Sequence, residues 1–208
     1  MIRVHHLNNS RSQRIIWLLE EMGLDYEIIH YSRDAETRLA PAALKEVHPL
    51  GKSPVIEDGD LKIAESGAII DYLVRTYGNG EFGPAVDDPA YNTYVEWLHF
   101  AEGSAMLPLM LALYTSRLGE AAAPLAPRIM SEIANHLGFM EAALGDRPFF
   151  VGDGFTGADA QLLFVLEAAN VRGGLAPYPN LQAFLERMQA RPAYKNAIEK
   201  GGPYSLGG

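Results

Sequence analysis

The chain contains no cysteine. That excludes disulfides, thiolate metal sites and a cysteine nucleophile, so any thiol chemistry must use a thiol carried by a bound ligand. Basic charge is scarce: 17 Lys and Arg stand against 26 Asp and Glu, for a net charge of -9. No basic run offsets this, and a phosphate backbone would be repelled, so nucleic acid is not an expected partner. Long apolar runs are missing as well. The most apolar stretch, Ala105 to Tyr114, is broken by Pro108 and is too short to span a bilayer. The opening MIRVHHLNNSRSQR lacks the apolar core of a signal peptide. A soluble, cytoplasmic protein with no membrane partner is expected.

What is present is a chain of 208 residues, 48% hydrophobic and 21% charged, enough for one large domain or two modest ones. Residues 2–7 read as a strand. From Ser12 the spacing turns helical, with Ile15, Leu18, Leu19 and Met22 at i, i+3, i+4 and i+7, until Gly23 stops it. Tyr26 to Tyr31 reads as a second strand, and Leu39 to Val47 as a weaker helix broken by His48-Pro49. Ser53 to Glu57, the turn Asp58-Gly59 and Leu61 to Ala64 read as a hairpin. Ile70, Leu73, Val74 and Tyr77 restore the helical period. The order is β-α-β-α-β-β-α, an α/β domain over 1–79. A Gly-, Pro- and Asp-rich linker follows at 80–88, and an all-α C-terminal domain over 89–208. Asp88-Pro89 looks like a cap followed by proline at the first helical position. Helices are expected near 89–118, with a kink at Pro108, and at 125–144, 157–171, 180–190 and 193–200.

Three short segments could carry chemistry. In Pro49-Leu50-Gly51-Lys52-Ser53-Pro54-Val55 a proline stands where a strand begins, which a sheet tolerates only at an edge, a strand start or a special turn. A cis Ser53-Pro54 bond would turn the Ser53 N–H and C=O outward to an extended peptide, whereas a trans turn proline would have no such role. In Ala64-Glu65-Ser66-Gly67 a strand runs into a helix. The first N–H groups of that helix attract a carboxylate, Ser66 adds a hydroxyl, and Glu65 can accept from an ammonium group. A ligand bearing an amine and a carboxylate on one carbon suits the pair, and Ser66 also fits a simple N-cap. In Asn8-Asn9-Ser10-Arg11-Ser12-Gln13-Arg14 the positive end of the first helix would lower the pKa of a nearby thiol. Ser10 and Gln13 also fit a capping box, which would partly commit the Ser10 hydroxyl and leave Asn9 the freer donor.

Together, in order and spacing, these segments resemble the glutathione transferase superfamily along nearly the whole chain, and the β-α-β-α-β-β-α order over 1–79 looks like its thioredoxin-like α/β domain. Pro49 to Val55 looks like the family's Asn-Pro-x-Gly-x-Val-Pro-x-Leu segment with its cis-proline, and Glu65-Ser66 like its Glu-Ser pair. Phe155-Thr156-Gly157-Ala158-Asp159 resembles its buried Thr-x-x-Asp capping box. Val4-His5-His6, Ser10 to Arg14 and Glu96-Trp97-Leu98-His99-Phe100-Ala101-Glu102-Gly103-Ser104 look most like a bacterial and fungal branch.

The resemblance implies a role for each matched position. Ser53, before Pro54, would pair through its backbone with the cysteinyl part of glutathione, Lys52 would meet the glycyl carboxylate, and Glu65 and Ser66 would hold the γ-glutamyl end. Serine-type members place the catalytic serine five residues before the arginine matched here by Arg14. That register lands on Asn9, with Ser10 where many members have proline. Asn9 is therefore the favoured thiolate donor, ahead of Ser10, with Arg11 as an outside candidate. The implied activity is conjugation of glutathione, a co-substrate, to a small hydrophobic electrophile, a detoxification chemistry carried out by a homodimer.

Trp97, Phe100, Met106 and Tyr114 read first as core residues, although a kink at Pro108 could open an apolar second-substrate pocket among them. Glu102 is a candidate contact to glutathione bound by a partner subunit. No metal is expected: His5 and His6 are adjacent in a strand and face opposite sides, and His99 and His136 have no partners at ligand spacing. Two rival readings are a glutathione-dependent peroxidase or disulfide reductase and a non-catalytic binding protein of the same fold. The absence of cysteine argues against the glutaredoxin-like branch, and Asn9-Ser10-Arg11-Ser12 replaces the Ser-Ser-Cys-Ser of the isomerase branch.

Overall fold

Strand β1 (Ile2–Leu7) organises the first half of the molecule. It pairs in parallel with β2 (Tyr26–Tyr31) and antiparallel with β3 (Val55–Asp58), which turns at Gly59 into β4 (Leu61–Ala64). The sheet order is β2-β1-β3-β4. Parallel pairing of β1 and β2 needs a crossover, and α1 (Ser12–Met22) supplies it. A short α2 (Ala43–Val47) buries Leu44, and α3 (Ser66–Tyr77) follows β4. This mixed sheet with its helices is thioredoxin-like, as expected. The computed structural model describes residues 1–171 and 173–206.

Alternating strand residues and the buried stripe of each helix build the core. Val4, Ile15, Ile16, Leu18, Leu19, Val55, Ile56, Ile69, Ile70 and Leu73 are all fully buried. Burial of each such side chain stabilises the fold by roughly 1.5–3 kcal/mol. Gly23 ends α1 at φ 64, and its N–H bonds back to the Leu19 and Glu20 carbonyls.

The described residues divide into two compact units, Met1–Gly83 with Met188–Leu206, and Pro84–Arg187. The first boundary lies inside the expected linker, but the end of the chain departs from the expected helical domain 89–208. Helix α9 (Pro192–Gly201) groups with the first unit because it packs on α1. The Arg191 guanidinium grips both oxygens of Glu21 at 2.6 and 2.7 Å, Lys200 pairs with Glu20 at 2.5 Å, and Trp17 meets Tyr194 edge-on at 5.5 Å. Arg172, Gly207 and Gly208, which that expectation included, lie outside the described residues.

The second unit is built from helices. The single kinked helix expected over 89–118 is instead α4 (Tyr91–Phe100), a π-helical turn (Ala101–Ala105), α5 (Met106–Thr115) and a 3-10 turn (Ser116–Ala122). Pro108 explains the break. It has no N–H to give to the Ser104 carbonyl, and the chain yields one turn earlier, where Met106 N–H reaches Ala101 instead of the usual partner. Asp88 accepts the Ala90 N–H at 2.8 Å, and the helix begins three residues past it rather than at Pro89. Then come α6 (Ala126–Leu144), α7 (Gly157–Asn170) and α8 (Pro179–Gln189), the last running across the boundary between units. The Glu141 carboxylate on α6 caps α8 by accepting from Asn180 and Leu181 at 3.0 and 2.9 Å. Trp97 sits at the middle of an aromatic cluster with Phe100, Phe139 and Phe150.

Candidate functional site

The Ser53–Pro54 peptide is cis, immediately before β3. Pro54 is buried and lies outside the ladder, so its missing N–H leaves no strand partner unsatisfied. Gly51, at φ 59, makes the turn into this segment. Ser53 bolts the segment to β1: its hydroxyl donates to the His5 carbonyl at 2.8 Å and accepts from the Leu7 N–H at 3.2 Å. Lys52 is exposed beside it.

The start of α3 completes this half. Ser66 is the first helical residue, not the N-cap; Glu65 holds that position, and its side chain makes no cap bond. Buried Arg14 donates to the Ser66 oxygen at 3.0 Å. An arginine can only donate, so the Ser66 hydroxyl keeps its own proton for a further acceptor. Glu65 holds the cap position at φ 69, a region a glutamate enters at a cost on the order of 1–3 kcal/mol, and its side chain is exposed. A helix N-terminus, a hydroxyl with a proton to give and an exposed carboxylate thus stand together.

The loop between β1 and α1 is the other half. Asn9 lies at φ 52, which asparagine tolerates better than most residues. Arg33 ties the loop down, with Nε on the Asn8 carbonyl at 3.1 Å and Nη2 on the Asn9 carbonyl at 3.2 Å. The Asn8 side chain returns the tie by accepting the Arg33 N–H at 2.8 Å. Asn9 Oδ1 accepts from the Ser205 N–H at 2.7 Å. That contact assigns the amide, whose Nδ2 end is the donor.

The capping box expected from Ser10 and Gln13 is not formed. The cap position of α1 belongs to half-buried Arg11, whose side chain makes no cap bond, and the Ser10 hydroxyl takes the Ser12 N–H at 3.3 Å. Gln13 is buried with neither amide atom bonded, because it points toward Gly201 at the end of α9 rather than back along the chain. Ser10 joins a buried polar chain instead. Its oxygen lies 2.7 Å from Ser12 Oγ, which lies 2.8 Å from His6 Nδ1, while His6 Nε2 donates to the Gly201 carbonyl at 2.9 Å. Burial, with His30 nearby, pushes the His6 pKa down to about 4 against the bond to Gly201, so the ring is neutral near pH 7.

The structure therefore gathers Asn9, Ser10 and Arg11 at one helix entrance, Lys52 to Pro54 at the start of β3 and Glu65-Ser66 at the start of α3, all within the first unit. In the second unit Trp97 and Met106 are core residues, Phe100 and Glu102 are half-buried, and Tyr114 is exposed. His5 and His6 do separate: His5 Nδ1 meets the Tyr31 hydroxyl at 2.9 Å, on the far side from Ser12. Among the described residues no cluster of metal-ligating side chains occurs, and no helix is long and apolar enough to cross a membrane. The expected Thr156–Asp159 box is formed at the head of α7.

Sequence reasoning missed His6 and Arg33, and it used Arg14 and Ser12 only as members of the α1 segment, without the bonds to Ser66 and Ser10. Arg14 carried one signal, since it shares the helix face of residues that read as core. Arg33 carried none, because its role depends on where the loop folds back.

Residues 1–75 match the family described as "Glutathione S-transferase, N-terminal domain", and residues 123–187 match "Glutathione S-transferase, C-terminal domain". The chain is similar to glutathione S-transferase 3 of Schizosaccharomyces pombe, at 37% identity over 96% of this chain and 88% of that one. It is similar to glutathione S-transferase 1 of Saccharomyces cerevisiae at 31% identity, over 96% and 95%. A glutathione S-transferase crystal structure from Actinobacillus pleuropneumoniae superposes with a TM-score of 0.89 and 39% identity, covering 99% of this chain and 95% of that one. With identities above 30% over nearly its whole length, a thioredoxin-like unit, a cis-proline entrance and a serine at the head of α3, the chain belongs to the glutathione S-transferase superfamily.

Proposed function

We propose that this protein binds glutathione in its first unit, ionises the thiol at the entrance of α1 and transfers it to a hydrophobic electrophile. The observation that carries this reading is Ser66: it takes a hydrogen bond from buried Arg14 and so keeps its proton for an incoming carboxylate at the start of α3. Ser66 and the α3 N–H groups would take the γ-glutamyl carboxylate, and exposed Glu65 its ammonium. The Ser53 backbone would pair with the cysteinyl residue, and Lys52 would meet the glycyl carboxylate. The thiol then lies toward Asn9, Ser10 and Arg11, where the α1 terminus and a donor favour the thiolate. Each unit of pKa lowering there is worth about 1.4 kcal/mol. Holding the thiolate against an electrophile makes the substitution effectively intramolecular. The reading includes a two-fold homodimer.

Calorimetric titration with glutathione tests binding. A Kd in the range of cellular glutathione is expected, weakened about tenfold by Ser66→Ala, as loss of one charge-assisted bond predicts. Absence of binding by the wild type would sink the proposal. Product analysis with an aryl halide and with an organic peroxide then separates conjugation from reduction. The thiol pKa of bound glutathione, read from thiolate absorbance, should rise more in Asn9→Ala than in Ser10→Ala.

A further inference from the structure

The polar chain behind Ser10 can be followed proton by proton. A carbonyl only accepts, so the 2.9 Å contact with Gly201 places the His6 proton on Nε2. Nδ1 of the neutral ring is then an acceptor, and Ser12, 2.8 Å away, must donate to it. A hydroxyl has one proton. Ser12 has used its own, so in the 2.7 Å contact between the two serines Ser10 is the donor. The Ser10 oxygen also accepts the Ser12 N–H at 3.3 Å. The second neighbour of Ser10 leads to the same result: Ser53 Oγ, at 3.5 Å, gives its own proton to the His5 carbonyl and can only accept. By either route the Ser10 proton stays inside the protein. Ser10, Ser12 and His6 are each at least nine-tenths buried, so bulk water does not compete for these bonds.

We propose that His6 is a positioning residue: it sets the direction in which Ser12 and Ser10 hold their protons, so that Ser10 faces a bound thiol as an acceptor only. Donation to the thiolate then falls to the rest of the Asn9–Arg11 loop. A serine at a helix entrance reads as a thiolate donor, and here a histidine six residues before Ser12 removes it from that role. The inference rests on glutathione being the ligand, but the direction of the hydroxyls does not.

Two measurements test it. Without ligand, the ring nitrogen shifts of His6 in the full-length protein should report an Nε2–H tautomer, and an Nδ1–H tautomer would overturn the proposal. With glutathione, Ser12→Ala removes the near acceptor of the Ser10 proton and leaves only Ser53 at 3.5 Å, so the proton turns to the thiolate and should lower the pKa of the bound thiol by about one unit, the effect of one added bond to a charged group. Ser10→Ala should leave that pKa nearly unchanged. His6→Asn, which can offer an acceptor to Ser12, should behave as wild type. A lesion that merely loosened the loop would raise the thiol pKa in every variant. A rise in Ser10→Ala with no fall in Ser12→Ala would overturn the proposal. If wild type gives no thiolate signal with glutathione, the proposed function fails, and the tautomer alone decides the role of His6.

Discussion

Two helix entrances in this protein carry the same kind of sequence and do opposite things. Ser10-Arg11-Ser12-Gln13 and Thr156-Gly157-Ala158-Asp159 both read as capping boxes. At α7 the box closes. Asp159, fully buried, accepts from the Phe150 and Thr156 N–H groups at 3.0 and 2.8 Å and from the Thr156 hydroxyl at 3.0 Å. At α1 it stays open: Gln13 is unbonded, Ser10 turns inward to Ser12, and the neighbouring Asn9 sits at positive φ. The difference shows where stability was placed. The α7 entrance ties its donors into a side-chain box and anchors a buried helix, whereas at α1 the first N–H groups go to the Ser10 hydroxyl and to the Ser10 and Arg11 carbonyls, with no reciprocal side chain.

The sharpest way to break this contrast is to remove each box. Asp159→Ala strands two buried N–H groups and should lower the unfolding free energy by about 3–5 kcal/mol, with Thr156→Ala costing about 1–2 kcal/mol. Urea melts of the whole chain measure both, and a loss below about 1 kcal/mol for Asp159→Ala would contradict a closed box.

Acidity separates the entrances with opposite signs. Burial pushes Asp159 up from 3.8 to about 6 against the donors that favour its carboxylate, so the folded state binds the extra proton. Its contribution is complete below about pH 4 and is lost as pH rises through 6. His6 is pushed down from 6.5 to about 4, so the unfolded state binds the extra proton. Its contribution is present above pH 6.5 and is lost as pH falls through 4. Each amounts to something on the order of 3 kcal/mol, and the two oppose each other. Between pH 4 and 6, Asp159→Asn should therefore become more stable with rising pH and His6→Asn less stable, relative to wild type. Identical slopes in the two variants would refute the assignment.

Smaller effects are expected at the open entrance. Ser10→Ala should cost about 1 kcal/mol, since it removes the acceptor of the Ser12 N–H and the partner of the buried Ser12 hydroxyl. Gln13→Met should be neutral or stabilising by up to about 1 kcal/mol, because it replaces an unbonded buried amide with an apolar side chain of similar length. A clear destabilisation would mean that the Gln13 amide has a partner.

Most of the first unit was legible in advance, since strand and helix periods, glycine stops and the hairpin turn are local signals. The proline at the strand start left cis and trans both open, and it was the resemblance of Pro49 to Val55 to a family segment that pointed to the cis bond the structure has. The misreadings share a cause. The capping box at Ser10, the cap role of Ser66 and the assignment of the last helix to the second domain were all inferred from neighbours in sequence. Each was decided by a residue far along the chain: Gly201 opposite Gln13, Arg14 on Ser66, and Arg191 on Glu21.

By itself the sequence settled the β-α-β-α-β-β-α order and the absence of any protein thiol, because periodicity acts within a few residues and composition needs no fold at all. Which way a hydroxyl holds its proton was left to the tertiary structure. Ser10 and Ser12 look alike in sequence, and the Gly201 carbonyl, brought 195 residues back against His6, tells them apart. A carbonyl can do nothing but accept, and that one constraint passes through the imidazole and two serines to the entrance of α1.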